Sequence, residues 1–173
     1  MLPTTQLLQT LTYHQQVFND PSGTNRLALL ASKASILEVC GWVEQAMDLL
    51  VKECANRCGL SPQRLKDLEE IYVNPTYGFQ YKKNFERMLI AVVGFPVLET
   101  VENSIPTQVT TLKVLLGDLT KLRNHYAHTH FDETSPYPQG RLSIPTPSVM
   151  IANANIAAIG LDAIELQLKA AGY

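Results

Sequence analysis

The sequence has few cysteines, few charges and no marked excess of either charge. Its three cysteines among 173 residues are Cys40, Cys54 and Cys58. Because an odd number in a chain of this size is not a disulfide framework, we expect a reducing, cytoplasmic setting. Only 17% of the residues are charged and the formal net charge is −2. This balance excludes nucleic-acid binding through a broad basic surface, so any such contact must be local.

Targeting signals and long apolar runs are also missing. The first residues lack the basic start and the continuous apolar stretch of a signal peptide, so secretion is not expected. The longest largely apolar run, residues 88–98, is interrupted by Gly94 and Pro96. It is well short of the roughly 20 residues that a membrane-spanning helix needs. We therefore expect no membrane contact.

Alternation with a period of two is nearly absent, whereas apolar positions recur at helical spacing along most of the chain. Turn residues such as Gly, Pro and Asn separate the segments. The predicted helices are, in order, residues 5–17, 25–57, 62–72, 81–93, a short turn or helix at 97–103, 107–122 with Thr107 as its cap, and 148–171. The last is apolar enough to predict a buried or inter-subunit position. We expect one all-α domain over residues 1–173, an up-and-down bundle of about five to six helices.

Residues 123–130 (RNHYAHTH) concentrate the functional groups of the chain: one guanidinium, one carboxamide, one phenol and three imidazoles. On a helix, Asn124 and His128 share one face, while Arg123 and His128 diverge by about 140°. Arg123 and His128 of one chain therefore do not meet easily. A two-fold axis presents the same face twice and can bring them together from different chains. We expect a site at a homodimer interface.

This motif resembles the signature of the HEPN superfamily (higher eukaryotes and prokaryotes nucleotide-binding). That signature is an Arg, an adjacent polar residue and a His separated from the Arg by four to six residues. Arg123, Asn124 and His128 fill these places, and Ala127 precedes the His as is frequent in the family. The resemblance covers this motif and the helical layout. Thr129 follows the His where relatives often have glycine.

The resemblance implies a metal-independent endoribonuclease that needs no cofactor and acts in toxin-antitoxin systems or antiviral defence. In that mechanism His128 and its symmetry mate transfer protons, Arg123 holds phosphate oxygens, and Asn124 orients the phosphate or His128. The products carry 2′,3′-cyclic phosphate and 5′-hydroxyl ends. The implied partners are RNA, a second copy of the chain, and an antitoxin or regulatory protein. The alternative is a non-catalytic dimerisation or nucleotide-binding module that partners another protein.

Further candidates carry less weight. The resemblance implies that Glu38, an acidic residue in the long second helix, faces the cleft and orients Arg123. Accessory proton relays or base-stacking groups beside the motif are His125, Tyr126 and His130. Cationic residues that are candidates for contacting RNA are Lys82, Lys83, Arg87 and Arg141, although a solvated helix face explains the first three more simply.

Simpler interpretations of the motif residues stay open. Arg123 and Asn124 are also typical of a helix C-terminus, and His128 of a partly buried imidazole bonded to a carbonyl. A zinc site on His125, His128 and His130 is a third possibility, but the spacing is not a strong zinc signature. For Cys54 and Cys58 core packing is favoured over chelation. The sequence thus predicts no metal.

Overall fold

The computed structural model describes residues 3–129 and 143–173 and confirms the all-α prediction. These residues form seven α-helices and no β-strand. The helices are α1 (Thr5–Asn19), α2 (Asn25–Arg57), α3 (Pro62–Leu68), α4 (Glu86–Val93), α5 (Phe95–Ser104), α6 (Pro106–Tyr126) and α7 (Pro147–Ala170). Two short π-helical turns, Glu69–Val73 and Tyr81–Phe85, follow α3 and precede α4.

The long helix α2 is the centre of the bundle, and its bounds match the predicted segment 25–57. It begins after Thr24, whose Oγ1 accepts a hydrogen bond from the Leu27 backbone N–H at 3.3 Å. It ends at Arg57, just before Gly59, whose φ of 67° suits glycine. Buried side chains occur along α2 from Leu29 to Ala55, and the helix packs on α1, α6 and α7.

The helices α1 and α6 run antiparallel to α2, whereas α7 runs parallel to it. Residues 20–24 form a tight connection between α1 and α2, so these two helices pack as a hairpin. On the other side, Cys40 Sγ of α2 lies 3.8 Å from the Leu119 carbonyl of α6. Earlier on α2, Lys33 Nζ donates to the carbonyl of Thr129, beyond the end of α6. Because lower α2 numbers meet higher α6 numbers, α2 and α6 are antiparallel.

Apart from α2, the predicted helices differ from the structure in their bounds, and the number of helices also differs. The described residues contain seven α-helices rather than about five to six, because the segment predicted as a short turn or helix at 97–103 is the complete helix α5, which follows Gly94 (φ 76°). The prediction that Thr107 caps α6 is wrong, since α6 begins one residue earlier at Pro106. Proline suits a first helical turn because it has no N–H that would lack a partner there.

The last helix, α7, packs on α1, α2, α5 and α6. It has the length and apolar composition of a membrane span, with a mean hydropathy of 1.5 in an 18-residue window. In the bundle, however, 39% of that window is buried. Its buried residues run from Pro147 to Leu168 along one side. Its composition therefore fits a helix that contributes to the core of the bundle.

The candidate site lies at the C-terminal end of α6, which is the end away from α5. Residues 96–104 of α5 and residues 167–173 line a common groove, so α5 lies against the C-terminal end of α7. Because α6 follows α5 directly, it starts beside that end of α7. The C-terminal end of α6, which carries Arg123, therefore lies toward the beginning of α7.

Candidate functional site

Hydrogen bonds tie the turn after α6 to α2. The helix ends at Tyr126, and the hydroxyl of Thr129 reaches back to donate to the His125 carbonyl at 2.5 Å. Lys33 Nζ of α2 donates to the Thr129 carbonyl at 2.7 Å. These bonds satisfy carbonyls at the helix end that have no partner within the helix. The turn that carries His128 is thus fixed to the bundle.

Arg123 and Asn124 line a small pocket of about 130 Å³. Its other lining residues are Thr120 of α6, residues 77–80, Lys83 and Asn84. Two cations, Arg123 and Lys83, and the exposed carboxamide of Asn124 therefore border a space that is large enough for several water molecules. Guanidinium and ammonium groups both bind phosphate oxygens, and the planar guanidinium does so with two N–H groups. The donor set suits a phosphate group.

The wall formed by residues 77–80 is held by side chains from two other elements. Glu44 Oε1 of α2 accepts a hydrogen bond from the Gly78 backbone N–H at 2.6 Å. Asn84 Oδ1 accepts from the Gln80 N–H at 3.0 Å, and Asn84 Nδ2 donates to the Tyr77 carbonyl at 3.2 Å. Gly78 has a φ of 97°, a conformation that glycine adopts without strain. The pocket wall is therefore fixed without a ligand.

The thiol of Cys40 on α2 lies within electrostatic reach of this pocket. Burial raises the pKa of Cys40 to about 12, the positive charge of Arg123 works against that rise, and Glu44 adds to it. Because the thiolate is the nucleophilic form of cysteine, Cys40 is inert at neutral pH. Its role is packing between α2 and α6.

Asp48, one helical turn beyond Glu44 on α2, is a second perturbed group near the wall. The pKa of Asp48 is raised to about 6, mainly by burial and also by the charge of Glu44, while the charge of Lys52 acts in the opposite direction. Lys52 also binds Glu69 Oε1 at 2.5 Å. The Asp48 carboxyl therefore titrates closer to neutrality than an ordinary aspartate.

His128 lies apart from the Arg123 pocket within one chain. It is exposed in the turn after α6, and it does not contribute to the pocket lining. Asn124, four residues earlier, is also exposed and does line the pocket. The structure therefore brings together Arg123, Asn124 and Lys83, but it does not bring His128 to them.

The residues between Asn124 and His128 face the interior. Tyr126 is fully buried, and burial raises the pKa of its phenol. The His125 ring packs edge-on against Tyr126 with centroids 4.7 Å apart. His125 Nε2 is enclosed and has no hydrogen-bond partner within the described part of the chain. Because the Tyr126 ring belongs to the core, it is not available to stack on a base.

The remaining candidates are dispersed. Glu38 lines a groove between α1 and α2 and affects the pKa of His14, so it lies beside α1. It is about 160° around α2 from Cys40, the residue near Arg123, so the structure does not place it to orient Arg123. Lys82 and Arg87 are exposed and line no part of the Arg123 pocket. His130 and Arg141 lie outside the described residues.

No cluster suited to metal binding occurs within residues 3–129 and 143–173: no three His, Cys, Asp or Glu side chains are grouped for it. Cys54 is buried, and burial raises its pKa to about 11, with the neighbouring Cys58 adding to the rise. A thiol that resists deprotonation is a poor metal ligand. These two cysteines fit the packing interpretation.

Comparisons with known proteins leave the family of the chain open. No protein-family model, curated protein or solved structure matches it. The functional argument therefore depends on the side chains around Arg123 and on the short motif that contains it.

Sequence reasoning missed three residues of this site. Glu44 and Asn84 hold the pocket wall, and Lys33 holds the turn after α6. For Asn84, a signal was present in the sequence: a carboxamide at helical spacing from the apolar residues Tyr81 and Met88, at the start of the fourth predicted helix. For Glu44 and Lys33 there was none, because their partners are 34 and 96 residues away along the chain.

Proposed function

We propose that the chain is a metal-independent endoribonuclease of the HEPN type that acts as a homodimer. The observation that carries this proposal is the pocket in which Arg123, Asn124 and Lys83 meet. A phosphodiester seated there is bound through its non-bridging oxygens by the two cations. The near-neutral charge of the rest of the chain is consistent with a local grip on RNA and a selective substrate.

The chemistry needs two proton transfers besides phosphate binding. A base takes the proton of the ribose 2′-hydroxyl, the 2′-oxygen bonds to phosphorus, and the bond to the 5′-oxygen breaks as an acid protonates that oxygen. The exposed His128 imidazole is the candidate for one transfer, and His128 of the partner subunit for the other. Arg123 stabilises the extra negative charge of the five-coordinate phosphorus.

A second candidate function is a non-catalytic nucleotide-binding module. The observation that favours it is the separation of His128 from the Arg123 pocket within one chain. A pocket with two cations and no imidazole binds a phosphate group without cleaving anything. The two functions therefore share the pocket and differ in the role of His128.

The test incubates purified wild type and the variants His128→Ala and Arg123→Ala with a mixed RNA pool in EDTA, and maps the new ends. We expect the wild type to leave 2′,3′-cyclic phosphates and 5′-hydroxyls. His128→Ala should lower kcat by about 10²–10⁴-fold, the usual contribution of a general acid or base. Arg123→Ala should also raise KM, because it removes a phosphate contact.

The matched control is Lys121→Ala, which removes an exposed cation of α6 that pairs with Asp118 outside the pocket. We expect this variant to cleave like the wild type. If all proteins are folded and bind nucleotides but none cleaves RNA, the nuclease proposal is rejected in favour of the binding module. Cleavage by His128→Ala at the wild-type rate rejects the assigned mechanism.

A further inference from the structure

The helix α7 carries a second apolar surface, most of which is exposed to water in the described part of the chain, although its member Ala163 is partly buried against the core. Its members are Val149, Ala152, Ile156, Ile159, Ala163 and Leu166, which we call the α7 seam. Val149, Ile159 and Leu166 are 47%, 64% and 64% exposed. These are large apolar side chains in contact with water, aligned along one helix rather than scattered.

The spacing of the α7 seam is that of a helix–helix contact. Its positions alternate by three and four residues, which is the 3.5-residue repeat of paired helices. The buried residues of α7, such as Ala154, Leu161 and Leu168, follow the same repeat on the opposite side. The two stripes lie about 150° apart around the helix. One stripe packs into the bundle, and the other has the pattern of a contact with a further helix.

The α7 seam is complementary to a copy of itself. Its side chains read large, small, large, large, small, large from either end. A two-fold axis therefore matches large with large and small with small, whether the two helices run parallel or antiparallel. The positions that flank the seam include the single charges Asp162 and Lys169, so no block of like charge opposes pairing.

The surface beside the α7 seam extends the contact onto α6. A groove of about 260 Å³ between the two helices is lined by Thr107 and Thr111 of α6 and by Ile156 and Ile159 of the seam. The neighbouring Val114 is 61% exposed. The seam is about 25 Å long, and with α6 the face is about 20 Å wide. If this face is buried in both copies of a dimer, about 1,000 Å² of accessible surface is removed from water in total. This area is near the lower limit of a specific interface.

We propose that two copies of this chain associate through the α7 seam, forming a two-fold dimer. Within each chain, Gly160 lets α7 pack closely on α6, since an added Cβ would lie 3.1 Å from Leu112 Cβ. The seam is thereby carried on a tightly packed helix pair. A lipid bilayer is a worse partner, because the opposite side of α7 is committed to the core. The proposal does not depend on the proposed nuclease activity.

The experiment measures molar mass by sedimentation across a micromolar concentration series. We expect a dimer for the wild type and a monomer for Ile159→Glu, with the dissociation constant raised at least about 100-fold because two carboxylates would be buried without partners. The matched control is Ile71→Glu. Ile71 is 62% exposed, close to the value for Ile159, but lies outside α7. This variant should remain dimeric.

Cysteine cross-linking under mild oxidation gives an independent readout. In a parallel dimer Ala152→Cys links to its own copy, and in an antiparallel dimer it links to Ala163→Cys. Either link supports the α7 seam. A wild type that is monomeric throughout, a dimer that survives Ile159→Glu, or absence of both links overturns the proposal. So does a monomer that binds phosphatidylcholine–phosphatidylglycerol vesicles through Ile159, because the seam then faces lipid.

Discussion

At the scale of single residues, the half-buried carboxyl group of Asp48 combines a raised pKa with a position beside the residue that supports the pocket wall. Burial raises its pKa to about 6, and the charge of Glu44 adds to the effect. Glu44 in turn holds the Gly78 N–H in the pocket wall. A negative charge on Asp48 therefore weakens the part of α2 that supports the candidate site.

We predict that the Asp48 carboxyl makes a contribution to stability that becomes more favourable as the pH falls from about 7 to about 4. In this window the folded state binds a proton on Asp48 more tightly than the unfolded state, whose carboxyl has the ordinary pKa of about 3.9. The contribution of Asp48 to the free energy of unfolding therefore decreases as the pH rises through the window. Asp48→Asn removes the buried charge and should add on the order of 1 kcal/mol at neutral pH, since water partly screens the site.

Urea unfolding at a series of pH values measures this effect, with Asp118→Asn on the exposed face of α6 as the control. We expect the pH dependence between 4 and 7 to flatten in Asp48→Asn and to persist in the control. The same pH dependence in the wild type and in Asp48→Asn would contradict the assignment to Asp48.

At the scale of elements, the helices could be predicted from the sequence, but the conformation of the loop at residues 77–80 could not. The bounds of α2 follow from its periodicity, from the cap at Thr24 and from Gly59, all of which are local signals. The wall at residues 77–80 depends on Glu44, which lies 34 residues earlier, so no local pattern encodes it. The sequence singled out Arg123 and Asn124, but the position of Lys83 beside them depends on that wall.

We predict that Asn84→Leu destabilises the pocket wall more than the helices. The change keeps the side-chain size but leaves the Gln80 N–H and the Tyr77 carbonyl without their buried partner. We expect the free energy of unfolding to fall by about 1–3 kcal/mol, the cost of unsatisfied polar groups. Affinity for inorganic phosphate should fall with it, because Lys83 loses its fixed position.

Urea unfolding and a phosphate titration measure the two effects. The control is Asn103→Leu, at an exposed position of α5. If stability falls and phosphate affinity does not change, phosphate binding does not depend on the pocket wall. Unchanged stability would mean that the two hydrogen bonds contribute little.

At the scale of the whole molecule, the direction of the proposed α7 pairing determines where the two motifs lie. The Arg123 end of α6 lies toward the beginning of α7. Parallel pairing therefore puts both motifs at the same end of the dimer, and antiparallel pairing puts them at opposite ends. A composite site that uses Arg123 and His128 from different chains requires the parallel arrangement, or a second contact between the motif ends.

Mixing inactive variants tests this directly. If each site takes Arg123 from one chain and His128 from the other, a heterodimer of Arg123→Ala and His128→Ala has one intact site and one site with both changes. Random exchange of subunits should then restore about a quarter of the wild-type RNA cleavage rate.

The control mixes wild type with the double variant Arg123→Ala/His128→Ala, whose heterodimers have no intact composite site. Two results together support the composite site. The mixture of the two single variants regains activity, and the mixture of wild type with the double variant is less active than the same amount of wild type alone. The opposite result is that the two single variants regain no activity together, and that activity in the control mixture is proportional to the amount of wild-type chain. Each chain then cleaves by itself. In that case His128 must move toward the Arg123 pocket when RNA binds.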